Sequence, residues 1–202
     1  MDQVCFAVKR GGKVAQKRSH LLIALGANQP STVGPPVVTL GKAVDALALE
    51  GVVIRAVSPF YETPCFPAGA GPDYVNAAVA LETSWSASEA LAHLHEIENR
   101  FGRVRDQRWG QRTLDLDLIA VDEQVAPDRD TFVAWRDLAP EVQTLRAPDT
   151  LILPHPRLQD RAFVLIPLAD VAPNWRHPVS GLSVQEMLQA LPEAVRQEVK
   201  PL

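Results

Sequence analysis

Thr113-Leu114-Asp115-Leu116-Asp117-Leu118-Ile119-Ala120-Val121 alternates polar and apolar side chains and then runs into an apolar end, the pattern of a half-buried β-strand. Residues two apart on a strand share a face. Asp115 and Asp117 therefore project together, while Leu114, Leu116 and Leu118 face the other way. Outward from this stretch, Leu21 to Leu25 reads as a buried strand that ends at Gly26-Ala27-Asn28. Val52 to Val57 and Tyr74 to Glu82 read as two more strands, and Thr63 to Asp73, with three prolines and two glycines, as loop. Pro35 and Pro36 open a helix whose stripe is Val37, Leu40, Val44, Leu47 and Ala48, up to Gly51. Ser86 and Glu89 form a capping box ahead of Leu91, Leu94, Ile97 and Phe101, and that helix stops at Gly102. Helices are also predicted over 161–172 and 183–191, the second opening with Ser183 and Glu186. Residues 122–150 are polar and broken by Pro127, Pro140 and Pro148, an insertion with room for one short helix. Strands and helices alternate without a regular βαβ rhythm, which predicts an α+β fold with a mostly antiparallel sheet backed by helices.

Composition narrows the class. A chain of 202 residues with 47% apolar and 22% charged residues suits one globular domain and excludes a disordered chain, a collagen or a disulfide scaffold. Cys5 and Cys65 lie far apart without a CxxC pair, so they read as free thiols in a reducing, cytoplasmic setting. Leu21 to Leu25 is far too short to span a membrane. The net charge of −4 is uneven: residues 1–18 carry +4 and the remainder −8. An acidic body argues against nucleic acid as the partner. We expect residues 1–19 to form a basic, flexible extension and residues 20–202 a single domain with an insertion at about 126–147.

The densest chemical signal precedes the aspartate strand. Arg100, Arg103, Arg105, Arg108 and Arg112 fall within thirteen residues without a lysine among them. Guanidinium forks match phosphate oxygens two at a time, so an all-arginine loop points to oriented polyphosphate binding. Two neighbouring carboxylates repel each other unless a cation lies between them, and their hard oxygens suit magnesium bridged to substrate phosphates. No GxxxxGK[ST] loop is present, and Gly69-Ala-Gly71 lacks the third glycine of a dinucleotide fingerprint. Side chains and metal would then do the work of a backbone phosphate cradle, sufficient for phosphoryl transfer. Tyr74, Asn76, Trp109 and Phe163 offer stacking faces and an amide for a flat heterocycle. Two rival readings are a nucleic-acid-binding module built on the Arg103 to Arg112 stretch with Trp109, and a metal-dependent nucleotide hydrolase. The first leaves Asp115 and Asp117 unexplained, and the second finds no general base for water in the motif.

Five segments in order resemble the 6-hydroxymethyl-7,8-dihydropterin pyrophosphokinase family. They are Leu25-Gly26-Ala27-Asn28, Ser58 to Pro64, Pro72-Asp-Tyr74-Val-Asn76-Ala-Ala, Arg108-Trp109-Gly-Gln-Arg112-Thr-Leu-Asp115-Leu-Asp117, and Pro154-His155-Pro156 with Arg161-Ala-Phe163. The resemblance implies a ferredoxin-like fold, a four-stranded antiparallel sheet flanked by helices. It also implies transfer of diphosphate from the co-substrate ATP to the pterin hydroxymethyl group, releasing AMP, in folate biosynthesis. By that resemblance Asp115 and Asp117 hold two magnesium ions, and Arg103 and Arg112 act with them on the triphosphate. Arg105, Arg108, His155, Arg161, His95, Glu98 and Leu118 lie on the nucleotide side. Thr63, Pro64, Cys65, Tyr74, Asn76, Trp109 and Phe163 take the pterin. A monomer without nucleic-acid or membrane partners is expected. Gln111, Ala27 and Pro156 depart from the family pattern, and none of them touches the aspartate pair.

Overall fold

Ile23 and Leu25 at the centre of the first strand are fully buried, because helices cover this part of the sheet. The computed structural model describes residues 17–65, 71–102, 112–139, 142 and 146–202. The elements run β1 (Ser19–Ala27), α1 (Pro36–Leu47), β2 (Val53–Val57), β3 (Tyr61–Thr63), β4 (Tyr74–Thr83), α2 (Ala87–Arg100) and β5 (Asp115–Val121). They continue with α3 (Arg129–Arg136), a 3-10 turn (Leu158–Asp160), α4 (Ala162–Val171), α5 (Val184–Ala190), α6 (Glu193–Gln197) and β6 (Lys200–Pro201).

The sheet is antiparallel at every pairing, in the order β5-β1-β4-β3-β6 with β2 also on β4. Two strands antiparallel to the same neighbour are parallel to each other, so β1–α1–β2 and β4–α2–β5 are crossover units. Six strands replace the four expected. The stretch from 53 to 63 is broken at Pro59, and its halves pair with different parts of β4: β2 with Val79 to Glu82, β3 with Tyr74 to Asn76. At the break Ser58 stands in for the ladder, its Oγ accepting from Ala78 N at 2.9 Å. A proline cannot donate to a ladder, which explains the interruption. Sequence reading passed over β3, α6 and β6; β3 and β6 are only three and two residues long, and their pairing is long-range.

Apolar alternation splits the core between the two faces. Leu21, Ile23, Leu25, Val79, Leu81, Leu116 and Leu118 pack under α1 and α2, while Leu22, Ala78, Ile119 and Ala120 pack under α4 and α5. Each fully buried Leu or Ile contributes about 1.5–3 kcal/mol. The capping boxes form as predicted: Ser86 Oγ accepts from Glu89 N at 3.2 Å and Ser183 Oγ from Glu186 N at 3.1 Å. Gly102 ends α2 at φ +77°, a conformation open to glycine without strain. The stripe predicted for α1 is rotated: Val37 is exposed, and Thr39 is buried because its hydroxyl donates to Gly34 O at 3.1 Å. No helix among the described residues is long and apolar enough to cross a membrane.

The insertion leaves and returns at one point, where Ala126 and Leu153 exchange backbone hydrogen bonds of 2.9 and 3.0 Å. Its helix α3 places fully buried Phe132 against His177, ring centroids 5.3 Å apart. His177 Nδ1 accepts from Val179 N at 3.1 Å and Ser180 N at 3.3 Å, so the ring is held neutral. Burial pushes its pKa down to about 4, and Arg136 acts in the same direction.

An unfolded histidine titrates near 6.5, so the folded state binds this proton less readily than the unfolded one. Its contribution to stability is complete above about pH 6.5 and is lost as pH falls towards 4. Thermal melts of wild type and His177→Leu across that range will show a shallower acid decline in the variant. Equal slopes would mean that His177 does not titrate there.

Candidate active site

Register builds the floor of the site. Gly26 on β1 pairs with Asn76 on β4 and with Asp115 on β5, and Ala24 pairs with Ala78 and Asp117. Directly opposed residues share a sheet face, so Asp115, Asp117 and Asn76 project on one side. Tyr74 and Thr63 join them through their own pairing. Leu116 and Leu118 go to the opposite core. The floor between the acids and Asn76 consists of small residues. A Cβ at Gly26 would lie 3.2 Å from Asn76 Oδ1, so even alanine would force that amide to move.

Two connections set the aspartates. Glu98 of α2 is fully buried, and its Oε1 accepts from Leu116 N at 2.8 Å, the amide between the two acids. Glu98, expected on the nucleotide side, supports the strand through this bond. The bond also shows that the Leu116 amide points away from β1, towards the outer edge of β5. By the two-residue period the Leu118 peptide shares that edge. The Leu118 side chain is buried in the α1–α2 core, which leaves only its backbone for a ligand. His95 lies one turn before Glu98 on α2 and is half-buried.

The second connection is Asn28, a residue of the quoted motif to which sequence reading gave no role. It is 3% exposed; its Oδ1 accepts from Arg112 N at 3.0 Å and its Nδ2 donates to Pro72 O at 3.3 Å. Asn28 N and Gln29 N donate to Arg112 O at 3.1 and 3.2 Å. With its backbone held on both sides, Arg112 pairs through its guanidinium with Asp115. An asparagine just after a strand-ending glycine was the available signal, but its partners are distant in sequence.

The other walls come from the C-terminal half. His155 N donates to Ile119 O at 2.8 Å, and its Nδ1 accepts from Arg157 N at 3.1 Å, which leaves the proton on Nε2. Burial lowers its pKa to about 4 against the opposing pull of Asp117, with Arg161 and Arg157 adding to the fall. Burial likewise pushes the Arg161 guanidinium down, and Asp117 opposes this. Asp117 is therefore the shared electrostatic neighbour of a neutral imidazole donor and an arginine. Arg161 Cζ lies 5.7 Å from the Phe163 ring centroid, and Phe163 is 39% exposed at the start of α4. Across the floor, Asn76 Nδ2 donates to Thr63 Oγ1 at 2.7 Å, both residues being buried. Tyr74 is half-buried, and desolvation raises its phenol pKa. Cys65 N donates to Asp73 Oδ1 at 3.2 Å; its thiol is free and half-buried, and Pro64 beside it is exposed. Arg103, Arg105, Arg108 and Trp109 lie outside the described residues, as does Cys5.

The chain is similar to known proteins. The sequence profile of the 7,8-dihydro-6-hydroxymethylpterin-pyrophosphokinase family matches residues 22–173. A 2-amino-4-hydroxy-6-hydroxymethyldihydropteridine pyrophosphokinase of Pseudomonas aeruginosa is 39% identical over 175 residues, covering 86% of this chain and 92% of that protein. The protein of the same name in Synechocystis is 36% identical, covering 83% of this chain and 74% of that one. Among solved structures, a Plasmodium falciparum HPPK-DHPS triple mutant with pteroate aligns at TM-score 0.61 and 12% identity, over 94% of this chain and 47% of that chain. The chain thus spans about half of that larger protein, and the likeness supports the fold.

Because Glu98 satisfies an amide on the strand that carries both acids, Glu98→Ala will leave a buried donor unpaired at a cost of about 1–3 kcal/mol. Glu98→Gln, which keeps an acceptor oxygen, will lose less. Urea unfolding compares the three chains, and equal stability of the Ala and Gln variants would rule out the support role.

Proposed function

The chain belongs to the 7,8-dihydro-6-hydroxymethylpterin-pyrophosphokinase family, and we propose that its two substrates meet across the Gly26 row of the sheet. The enzyme transfers diphosphate from ATP to the hydroxymethyl group of 6-hydroxymethyl-7,8-dihydropterin in folate biosynthesis. The single observation that carries our placement is the register Asp115–Gly26–Asn76. It sets the acid pair and the pterin-side amide two strand spacings apart, roughly 10 Å, on one face over a floor without bulky side chains.

On the nucleotide side, Arg112, Arg161 and the Nε2–H of His155 bind and orient phosphate oxygens. The Leu118 peptide on the outer edge of β5 offers backbone contacts, and His95 is assigned to the same side. On the pterin side, Asn76, Thr63 and the backbone near Pro64 and Cys65 read the edge of the ring, with Tyr74 and Phe163 on its faces. Arg103, Arg105, Arg108 and Trp109 complete the two halves by sequence resemblance. The pterin hydroxyl oxygen forms a bond to the β-phosphorus, the bond from that phosphorus to the α–β bridging oxygen breaks, and AMP leaves with that oxygen. The hydroxyl proton is released.

The acid pair fits magnesium. Among the described residues no group of three or more His, Cys, Asp or Glu could hold a metal alone. Magnesium suits such a site, since it takes one or two carboxylates and completes its shell with water and phosphate oxygens. Asp115 and Asp117 would hold two ions, which when bound neutralise phosphate charge and polarise the β-phosphoryl group. We further read β5-β1-β4-β2 as a ferredoxin-like four-strand core extended by β3 and β6, and the protein as a cytoplasmic monomer with no nucleic-acid partner.

The deciding assay is AMP formation from ATP and magnesium with and without the pterin. AMP only in its presence identifies the acceptor, and equal AMP in both tubes would favour a hydrolase. In the same assay Asp117→Ala will abolish turnover while the melting curve stays cooperative; a near-normal rate would refute the metal role. Arg112→Ala will lower kcat/KM by at least about a hundredfold, the scale of one lost donor to developing charge. Unchanged kinetics would exclude Arg112 from phosphate contact.

A further inference from the structure

Tyr61 lies in β3, a strand of three residues held on both edges: Tyr61 pairs with Asn76 on β4 and with Pro201 on β6. Leu202 N donates to Phe60 O at 2.9 Å, which extends the outer grip by one residue. Tyr61 and Thr63 are two apart and share a face, the face on which Asn76 stands. The Tyr61 hydroxyl donates to Asp170 Oδ2 at 2.7 Å, a bond between residues 109 apart in sequence. Desolvation and the Asp170 carboxylate raise the phenol to about 12, so it remains a donor throughout the physiological range. Asp170 sits near the end of α4, which packs on β1, β2, β3 and β4. Seven residues at 100° each return within 20° of the starting direction, so Asp170 lies on the same side of α4 as Phe163 and ~10 Å along the axis from it.

The bond therefore joins the sheet strand that carries Thr63 to the helix face that carries Phe163. We propose that the Tyr61–Asp170 pair is a strut that sets the spacing between the β3–β4 floor and α4, and thereby the width of the pterin slot. Both are positioning residues for pterin capture. The inference rests on the substrate placement proposed above and deepens it. The nucleotide side is anchored elsewhere, by Glu98 on β5 and Asn28 on Arg112, and does not share this bond.

The test uses the full chain with Tyr61→Phe, Asp170→Leu and Asp170→Asn, well below each melting temperature. Tyr61→Phe keeps the ring and removes only the hydroxyl; Asp170→Asn keeps an acceptor oxygen. Losing a hydrogen bond to a charged group corresponds to a factor of about ten. We expect the pterin KM to rise by about that factor in Tyr61→Phe and Asp170→Leu, with the ATP KM and kcat within about twofold of wild type. Asp170→Asn will lie closer to wild type. An unchanged pterin KM in Tyr61→Phe, or pterin and ATP KM values rising together with the loss of melting temperature, would overturn the strut. Wild type assayed alongside must form AMP only with pterin; failure there overturns the functional reading itself and the strut with it.

Discussion

Two like charges held side by side on an edge strand govern this molecule. Asp115 and Asp117 are two residues apart on β5, about 6–7 Å at the backbone, and like charges at that spacing repel unless a cation lies within reach. The fold supplies one cation from nearby in sequence and one from far along the chain. Arg112 pairs with Asp115 from the segment before the strand, and Arg161 at the start of α4 is an electrostatic neighbour of Asp117. In the proposed reaction a polyphosphate would bring negative charge to the same place, where metal ions and the arginines would share one electrostatic task.

Rigidity behind the acids comes from unusual materials. A third carboxylate, Glu98, is buried within the α1–α2 side and is used as a hydrogen-bond acceptor by the strand it supports. A buried carboxylate is expensive unless its oxygens are bonded, so this one holds position by necessity. On the open face the strands carry alanine and glycine where core would otherwise form. Gly26 and its neighbour Ala24 stabilise less by burial than leucines would, and they leave the row between the acid pair and Asn76 without bulky side chains.

Much of this was readable in the sequence. The alternation of 113–118 put both aspartates on one face, and the structure keeps them there, because a strand's period depends only on backbone geometry. Both capping boxes formed where Ser and Glu stood three apart, since their partners are local. The family motif led to its residues in order. Other features were hidden. The rotation of α1 that exposes Val37 follows from the Thr39 hydroxyl, and the separation of β3 from β2 follows from Pro59 and Ser58. Asn28 had a motif but no role, because its partners at Pro72 and Arg112 are distant along the chain.

The sequence by itself determined the chemistry on offer: paired carboxylates, arginines without lysines, aromatic faces and an α+β order of elements. These depend on residue type and on spacings of two to four residues. Tertiary structure alone decided which groups meet, that Glu98 serves the strand, that Asn28 holds Arg112, and that Tyr61 is tied to Asp170. Such pairings close long loops, and their geometry exists only once the sheet register and the helix packing have brought remote residues within hydrogen-bond distance.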